Sequence, residues 1–297
     1  MRRIVIAVLI LLGTAAFMFW WTGGLDHVAS WAAQHQRTFQ NSMATTLRAV
    51  RAGHPGAVAL LLTACFAYGF FHAVGPGHGK FLIGGYGVGR KVPMVRLSLI
   101  SLAASLGQAV TAVLLVYAGI LVLNMGREAM IGVTERLMAP VSYGAIALIG
   151  GWLVWRGARR VRAPVKQPVP VGIEDVCGSC GHAHGPSLAQ VEKIGTWREA
   201  FAIICGVALR PCTGALFVLI ITWQMGIAAL GVLGAFAMAL GTASVTITVG
   251  LAAVGVRGGI VTALAKSERS VQVMAGVEIA AGAAVTLLAF GLLMRAL

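Results

Sequence analysis

His72-Ala-Val-Gly-Pro-Gly-His-Gly-Lys80 interrupts a long apolar stretch with two imidazoles, a lysine and a Gly-Pro-Gly break. At membrane depth such a segment is costly. Ionisable groups inside a span face a cavity or a substrate path. A loosened backbone is tolerated there only where it lines protein or water. The segment therefore predicts a polytopic membrane protein with a site built around His72 and His78, with Gly75, Pro76 and Gly77 as the helix break.

Composition agrees. The 297 residues are 58% hydrophobic and only 11% charged, with a mean hydropathy of +0.87, whereas soluble domains carry about 25% charged residues. The net charge of +14 would point to nucleic acid in a soluble chain. Here the Lys and Arg residues gather in short loops between apolar runs, as topology signals do, and no nucleic-acid partner is expected. The 39 glycines suit close helix packing in a bilayer. Five cysteines lack the spacing of a secreted disulfide scaffold.

A membrane helix needs about 20 apolar residues, and seven stretches qualify, near 4–22, 57–80, 97–123, 139–155, 199–222, 228–256 and 271–294. The first ends in Phe19-Trp20-Trp21, an interfacial belt without a small-residue cleavage site, and reads as a retained anchor over residues 1–22. Residues 23–56 read as an external amphipathic segment and 156–197 as one long loop. Placing the N-terminus inside puts fifteen basic loop residues on the cytoplasmic side and six outside. The positive-inside rule then makes the 156–197 loop cytoplasmic and the C-terminus periplasmic.

An internal repeat is visible. Ala73-Val-Gly-Pro76-Gly-His-Gly79 matches Ala208-Leu-Arg-Pro211-Cys-Thr-Gly214. Gly107, in Leu-Gly-Gln-Ala, follows Pro76 by 31 residues, and Gly241, in Leu-Gly-Thr-Ala, follows Pro211 by 30. Three spans per half (57–155 and 198–297) are an odd number, so the halves insert with opposite orientation. Inverted repeats with matching broken helices point to a transporter site near the midplane. The fold expected is all-α: an anchor helix plus a 3+3 inverted repeat.

His72 and His78 are six residues apart, roughly 120° from alignment on an unbroken helix; the Gly-Pro-Gly break lets them converge. Imidazole is a common ligand for nickel, cobalt, zinc and copper. Cys212 at the second break, beside Pro211, is either a third ligand or a small apolar filler. Lys80 serves the site or reaches to the interface. Arg210 needs a partner or water at that depth. Gln108, Thr111 and Ser105, with Thr242, Ser244 and Thr246 in the other half, form polar stripes that read as pathway lining together with Thr213 and Arg210 at the second break, against the alternative of plain interhelical hydrogen bonds. In the long loop, Cys177-Gly-Ser-Cys180-Gly-His182-Ala-His184 has the spacing to enclose a zinc-like ion.

These residues resemble the nickel/cobalt efflux transporters of the NicO family, which have an H-x-x-x-P-G-H-[GS]-K element in an early span and a G-x-x-P-C element in a later one. The chain has His72 through Lys80 for the first; for the second it shows Gly206-Val-Ala-Leu-Arg-Pro211-Cys212. The resemblance runs over about 57–295. It implies a divalent-metal transporter of the bacterial inner membrane, with Ni²⁺ or Co²⁺ as substrate, no catalytic cofactor and no enzymatic activity. His72 and His78 map onto the family's histidines, and Pro211-Cys212 onto its Pro-Cys. The chain departs in having two loop histidines beside a Cys pair instead of a histidine-rich loop, and Gln108 where a histidine often stands. The expected partners are metal ions, the lipid bilayer and, as an open alternative, further copies of the chain.

Two rival readings remain. Thiol electron carriers also use Pro-Cys breaks in inverted halves, but they need a cysteine in each half. Here the repeat partner of Cys212 is Gly77, and Cys65 lies about three turns earlier, beyond disulfide geometry. An exporter of small organic solutes would leave the histidine pair unexplained. A membrane metalloprotease fails for want of H-E-x-x-H.

Overall fold

The computed structural model describes Thr14, Met18 and residues 22–75, 78–162, 188–264 and 270–297. Everything among them is helix and turn. The first span expected from the sequence lies outside the described residues except for isolated positions. So do Pro76, Gly77, the side chain of His78 and the loop cluster Cys177, Cys180, His182 and His184.

The helices are α1 (Gly24–Arg51), α2 (Ala57–Val74), α3 (His78–Gly89), α4 (Met94–Leu121), α5 (Arg127–Val133), α6 (Ala139–Arg162), α7 (Leu188–Ala208), α8 (Thr213–Gln224), α9 (Ala228–Leu264) and α10 (Ser270–Ala296). A π-helical turn, Thr134–Met138, joins α5 to α6. Five stretches are long and apolar enough to cross a membrane: Ala57–Val74, Met94–Leu121, Arg127–Arg162, Ala228–Thr262 and Gln272–Ala296. A sixth is the pair Trp197–Ala208 and Thr213–Gln224, bent by 59° at its break. All six coincide with stretches expected from hydropathy; the seventh, at the N-terminus, is the one not described.

The outer surface is apolar, as a lipid-facing one must be. Leu148, Val95, Leu287 and Phe201 are each at least 70% exposed. Side chains of that kind in contact with water would make an aggregation-prone patch; in contact with acyl chains they are matched.

Contacts fix the direction of each helix pair. Cys65 faces Gly234 and Phe70 faces Gly241, so α2 and α9 run parallel. Arg96 lies over Trp197, and Gln108 donates to the Val207 carbonyl, so α4 and α7 run parallel. Leu97 meets Gly250 while the Tyr117 hydroxyl donates to the Ala228 carbonyl, so α4 and α9 are antiparallel. Gly150 meets Thr286 and Gly157 meets Ile279, so α6 and α10 are antiparallel as well. It follows that the equivalent helices of the two halves, α2 and α7, α4 and α9, α6 and α10, run in opposite senses. The second helix of each half lies along the broken helix of the other.

The tightest of these crossings is between α2 and α9. A Cβ on Gly69 would run into the Met238 carbonyl, and one on Gly241 into the Phe66 carbonyl. With lipid as solvent there is no hydrophobic drive to associate helices, so backbone approach through small residues supplies the contact. Thr242, next to Gly241, seals it by donating to the Gly69 carbonyl at 3.2 Å.

The amphipathic segment before α2 is α1, and it folds back antiparallel along α2. Its turn contains Gly53 and Gly56 at φ 72° and 76°, left-handed angles that favour glycine. Leu47 and Met43 are buried in the core that Leu61 and Cys65 share, and further along Gln36 Nε2 donates to the Tyr68 hydroxyl at 3.0 Å. Ala32, fully buried, reaches the break, with its Cβ near the Gly75 position.

Replacing Gly241 by Val is expected to push α2 and α9 apart. The loss should exceed the roughly 1–3 kcal/mol typical of an overpacked core, because the obstacle is backbone. Thermal unfolding in detergent would show this, with Gly291→Ala, which meets nothing within 4 Å, keeping the parental transition temperature.

Candidate functional site

Both broken helices stop where a backbone interruption leaves carbonyls or amides without helical partners, and the polar residues gather there. α2 ends at Val74, with His72 in its last turn. A helix C-terminus carries unsatisfied carbonyls and the negative end of the macrodipole, which favours a cation. Lys80, one turn into α3, curls back and donates to the carbonyls of Val74, at 3.0 Å, and Gly75. Its ammonium therefore satisfies the break itself and does not extend towards the membrane surface. The preceding His78 is the first residue of α3.

The second break has the opposite polarity. Pro211 is buried, and Cys212 is the N-cap of α8 in an extended conformation, with φ −72° and ψ 129°. Its carbonyl accepts from Ala215 and Leu216, while its thiol lies by the amides of Gly214 and Ala215. That end of a helix favours negative charge. Thr213 begins α8 and is exposed.

Tyr68 joins the two breaks. Its ring stacks on His72 with centroids 6.0 Å apart and planes 6° from parallel. Its hydroxyl accepts from Gln36, and its ring lies against Gly214, next to Cys212 and Thr213. The ring fits only because residue 214 is glycine: any Cβ there would overlap it. His72 itself is exposed at the break. It is flanked by the charges of Arg210 and Lys80.

Arg210 has the partner its depth demands. It hydrogen-bonds the Tyr143 hydroxyl, stacks over the Tyr143 ring at 5.0 Å and pairs with Glu135 at 3.3 Å. The acidic partner sits in the π-helical turn, a device often found at functional positions. Gln108 donates to the Val207 carbonyl at 3.1 Å, one turn before the second break. Thr242, its repeat counterpart, donates to Gly69 just before the first. Thr111 bonds within its own helix to Gly107.

The structure thus brings together His72, Cys212, Thr213, Gly75 and Arg210, while Gln108 and Thr242 hold the broken helices from the side. Among the described residues no three His, Cys, Asp or Glu side chains form a ready metal cage. Three participants were not singled out in the sequence. Tyr68 and Gln36 carry no motif signal. Glu135 did carry one, being an acid four positions before Ala139-Pro140, at the entry to an apolar run.

Comparison with known proteins identifies the family. A family model described as NicO, high-affinity nickel-transport protein, matches residues 58–170 and 168–297. The chain belongs to the NicO family. It is also 27% identical over 252 residues to a protein of Haemophilus influenzae named putative nickel/cobalt efflux system, covering 79% of this chain and 76% of that one. No solved structure matches it. The family assignment makes it a multi-pass membrane transport protein, and the family match covers the two broken helices.

Lys80→Met would leave the Val74 and Gly75 carbonyls without their donor. Each unmet buried group costs about 1–3 kcal/mol. A lowered transition temperature in detergent is expected, restored in large part by Lys80→Arg, whose guanidinium can reach both oxygens.

Proposed function

We propose that this protein is a secondary transporter that carries Ni²⁺ or Co²⁺ outward across a bacterial inner membrane, with its N-terminus cytoplasmic and its C-terminus periplasmic. The observation that carries this reading is that Tyr68, stacked on His72, lies against Gly214 beside Cys212 and Thr213, where two oppositely directed broken helices stop. Imidazole nitrogen and thiolate sulfur suit a late first-row divalent ion. His78, at the start of α3 on the other side of the break, completes the set as a second imidazole. Outward direction is supported by the name of the Haemophilus relative, and the cytoplasmic N-terminus by the excess of Lys and Arg in loops on that side.

No G-x-x-x-x-G-K-[ST] element is present, so the energy comes from an ion gradient, from the membrane potential or from a partner protein. Alternating access follows from rocking one three-helix half against the other about the fixed site. Gln108, Thr111, Thr213, Thr242 and Arg210 line or brace the route. The loop ligands Cys177, Cys180, His182 and His184 form a separate collecting or sensing site, with Zn²⁺ among the ions they suit. A small-solute exporter would have no use for the imidazole and thiol at the breaks. A thiol carrier would need a partner for Cys212, and among the described residues Cys65, Cys205 and Cys212 are all free.

In everted vesicles loaded with a nickel-sensitive dye, the parent chain is expected to accumulate Ni²⁺ and Co²⁺ when energised. His72→Ala and His78→Ala should fall to the level of empty vesicles while inserting normally. Normal rates in both single variants would remove the histidines from the pathway and with them this reading of the site.

Replacing Cys177, Cys180, His182 and His184 together by Ser and Ala should lower the apparent affinity and leave transport running. A correctly inserted four-site variant with no transport at all would make the loop part of the obligatory route.

A further inference from the structure

At the end of the bundle opposite the α1–α2 turn, charged side chains are buried in a layer that the transport site does not use. Arg90, the residue after α3, pairs with Glu199 of α7 at 2.6 Å, and the Tyr86 hydroxyl donates to the same carboxylate at 2.9 Å. Arg156 of α6 reaches both Glu199, at 3.7 Å, and Glu278 of α10. Arg160 pairs with Glu278 at 3.1 Å. Glu278 is 0% exposed, and Arg90, Arg156 and Glu199 are only 12–14% exposed. Glu278 is eight residues into α10, about 12 Å along its axis, inside a stretch that is otherwise Val, Met, Ala, Gly and Ile. An ionised group so placed demands a functional reason.

The pattern of pairing supplies it. Every arginine that forms an ion pair in the layer among the described residues (Arg90, Arg156, Arg160) belongs to the first half of the chain, and both glutamates belong to the second. All four ion pairs therefore cross between halves, and Arg257 of the second half adds a fifth link by donating to the Val88 carbonyl at 2.7 Å. On the other side of the break a single ion pair crosses between halves among the described residues, Arg210 with Glu135, whose carboxylate is 43% exposed. One side is held by four ion pairs, the other by one, and His72 is exposed at the break between them.

We infer that Glu199 and Glu278, with Arg90 and Arg156, close the cytoplasmic half of the transport path, and that the conformation described is the outward-facing one. The inference rests on the transport reading above. The layer holds the halves together on the side where α3 and α7 would have to part for metal to enter from the cytoplasm. Breaking it exposes charges that the cytoplasm can hydrate, which makes opening feasible; in a layer of apolar contacts the same movement would offer no such compensation. The Arg210–Glu135 pair is the weaker counterpart on the outer side. Rocking exchanges one set for the other, and the free-energy difference between the two sets biases the resting conformation.

The native thiol at the second break provides the test. In a chain whose Cys65, Cys177, Cys180 and Cys205 are replaced by Ser, Cys212 is the remaining thiol. Its rate of modification by a membrane-impermeant methanethiosulfonate is measured from each face of the membrane, with and without Ni²⁺. In this parent, labelling is expected from the outer face and to be slow from the cytoplasmic face. Glu278→Gln and Glu199→Gln are each expected to raise cytoplasmic-face labelling and lower outer-face labelling. A change of at least tenfold is what about 1.4 kcal/mol of bias between two states produces. Arg156→Lys, which keeps the charge, should stay near the parent. Unchanged sidedness in both glutamine variants would make the layer a plain brace and overturn the inference, as would faster labelling from both faces together. Should Glu278→Gln fail to insert, Glu199→Gln, at a partly exposed carboxylate, decides alone. Protection of Cys212 by Ni²⁺ in the parent is read separately: its absence counts against the metal site and leaves the sidedness result intact.

Discussion

The fold is governed by what happens to backbone polar groups when a helix is broken where water is scarce. A span that stops short exposes carbonyls at one end and amides at the other, and in lipid each must find a protein partner. Lys80 meets the carbonyls at the end of α2. At the other break Cys212 caps the start of α8, and Arg210 beside it turns to Tyr143 and Glu135. Thr242 and Gln108 bond to backbone carbonyls, Gly69 and Val207, just ahead of each break. Remove these partners and neither break can sit at depth; keep them and a polar seat is created that the rest of the bundle must enclose.

That enclosure explains the glycines. α9 must come within backbone contact of α2 for Thr242 to reach the Gly69 carbonyl, and Gly69 and Gly241 are the positions where side chains would prevent it. On the other half Gly107 meets Ala208, a crossing slightly wider because one partner keeps its methyl group. The two halves thus use one packing scheme with different tolerances. The same asymmetry appears in the residue that reaches across, Gln108 being long and Thr242 short.

Much of this was legible in the sequence because its signals are local. The Gly-Pro-Gly break, the A-x-x-P-x-x-G repeat and the L-G-x-A tetrapeptides each identify a backbone event, and backbone events are set by a few neighbouring residues. The six described spans were found because hydropathy is additive along a helix. What stayed hidden depends on pairing across the fold. Nothing in Val277-Glu278-Ile279 says which arginines approach, and Glu199 reads as an ordinary interfacial residue at the start of a span. Tyr68 looks like a core aromatic until Gly214 is placed beneath its ring. Periodicity would have suggested α1 as a solvated surface helix. Its buried Ala32, Met43 and Leu47 instead clamp it along α2 as far as the break, a placement that only the turn at Gly53 and Gly56 reveals.

Charge connects these levels. Glu135, Glu199 and Glu278 lie within spans, and each is matched by arginine from the opposite half of the chain. A buried pair adds little stability over a well-packed apolar contact of the same size, because desolvation offsets the attraction. Membrane burial makes ions costlier still. Stability alone would have favoured apolar side chains at these positions, which the surrounding sequence supplies in abundance. Ion pairs differ from apolar contacts in how they respond to separation. Parted in contact with water, each charge recovers its hydration, so the joint can open and close. Three such acids placed where the two inverted halves meet are what a machine with a movable seam requires, and they mark that seam on both sides of the broken helices.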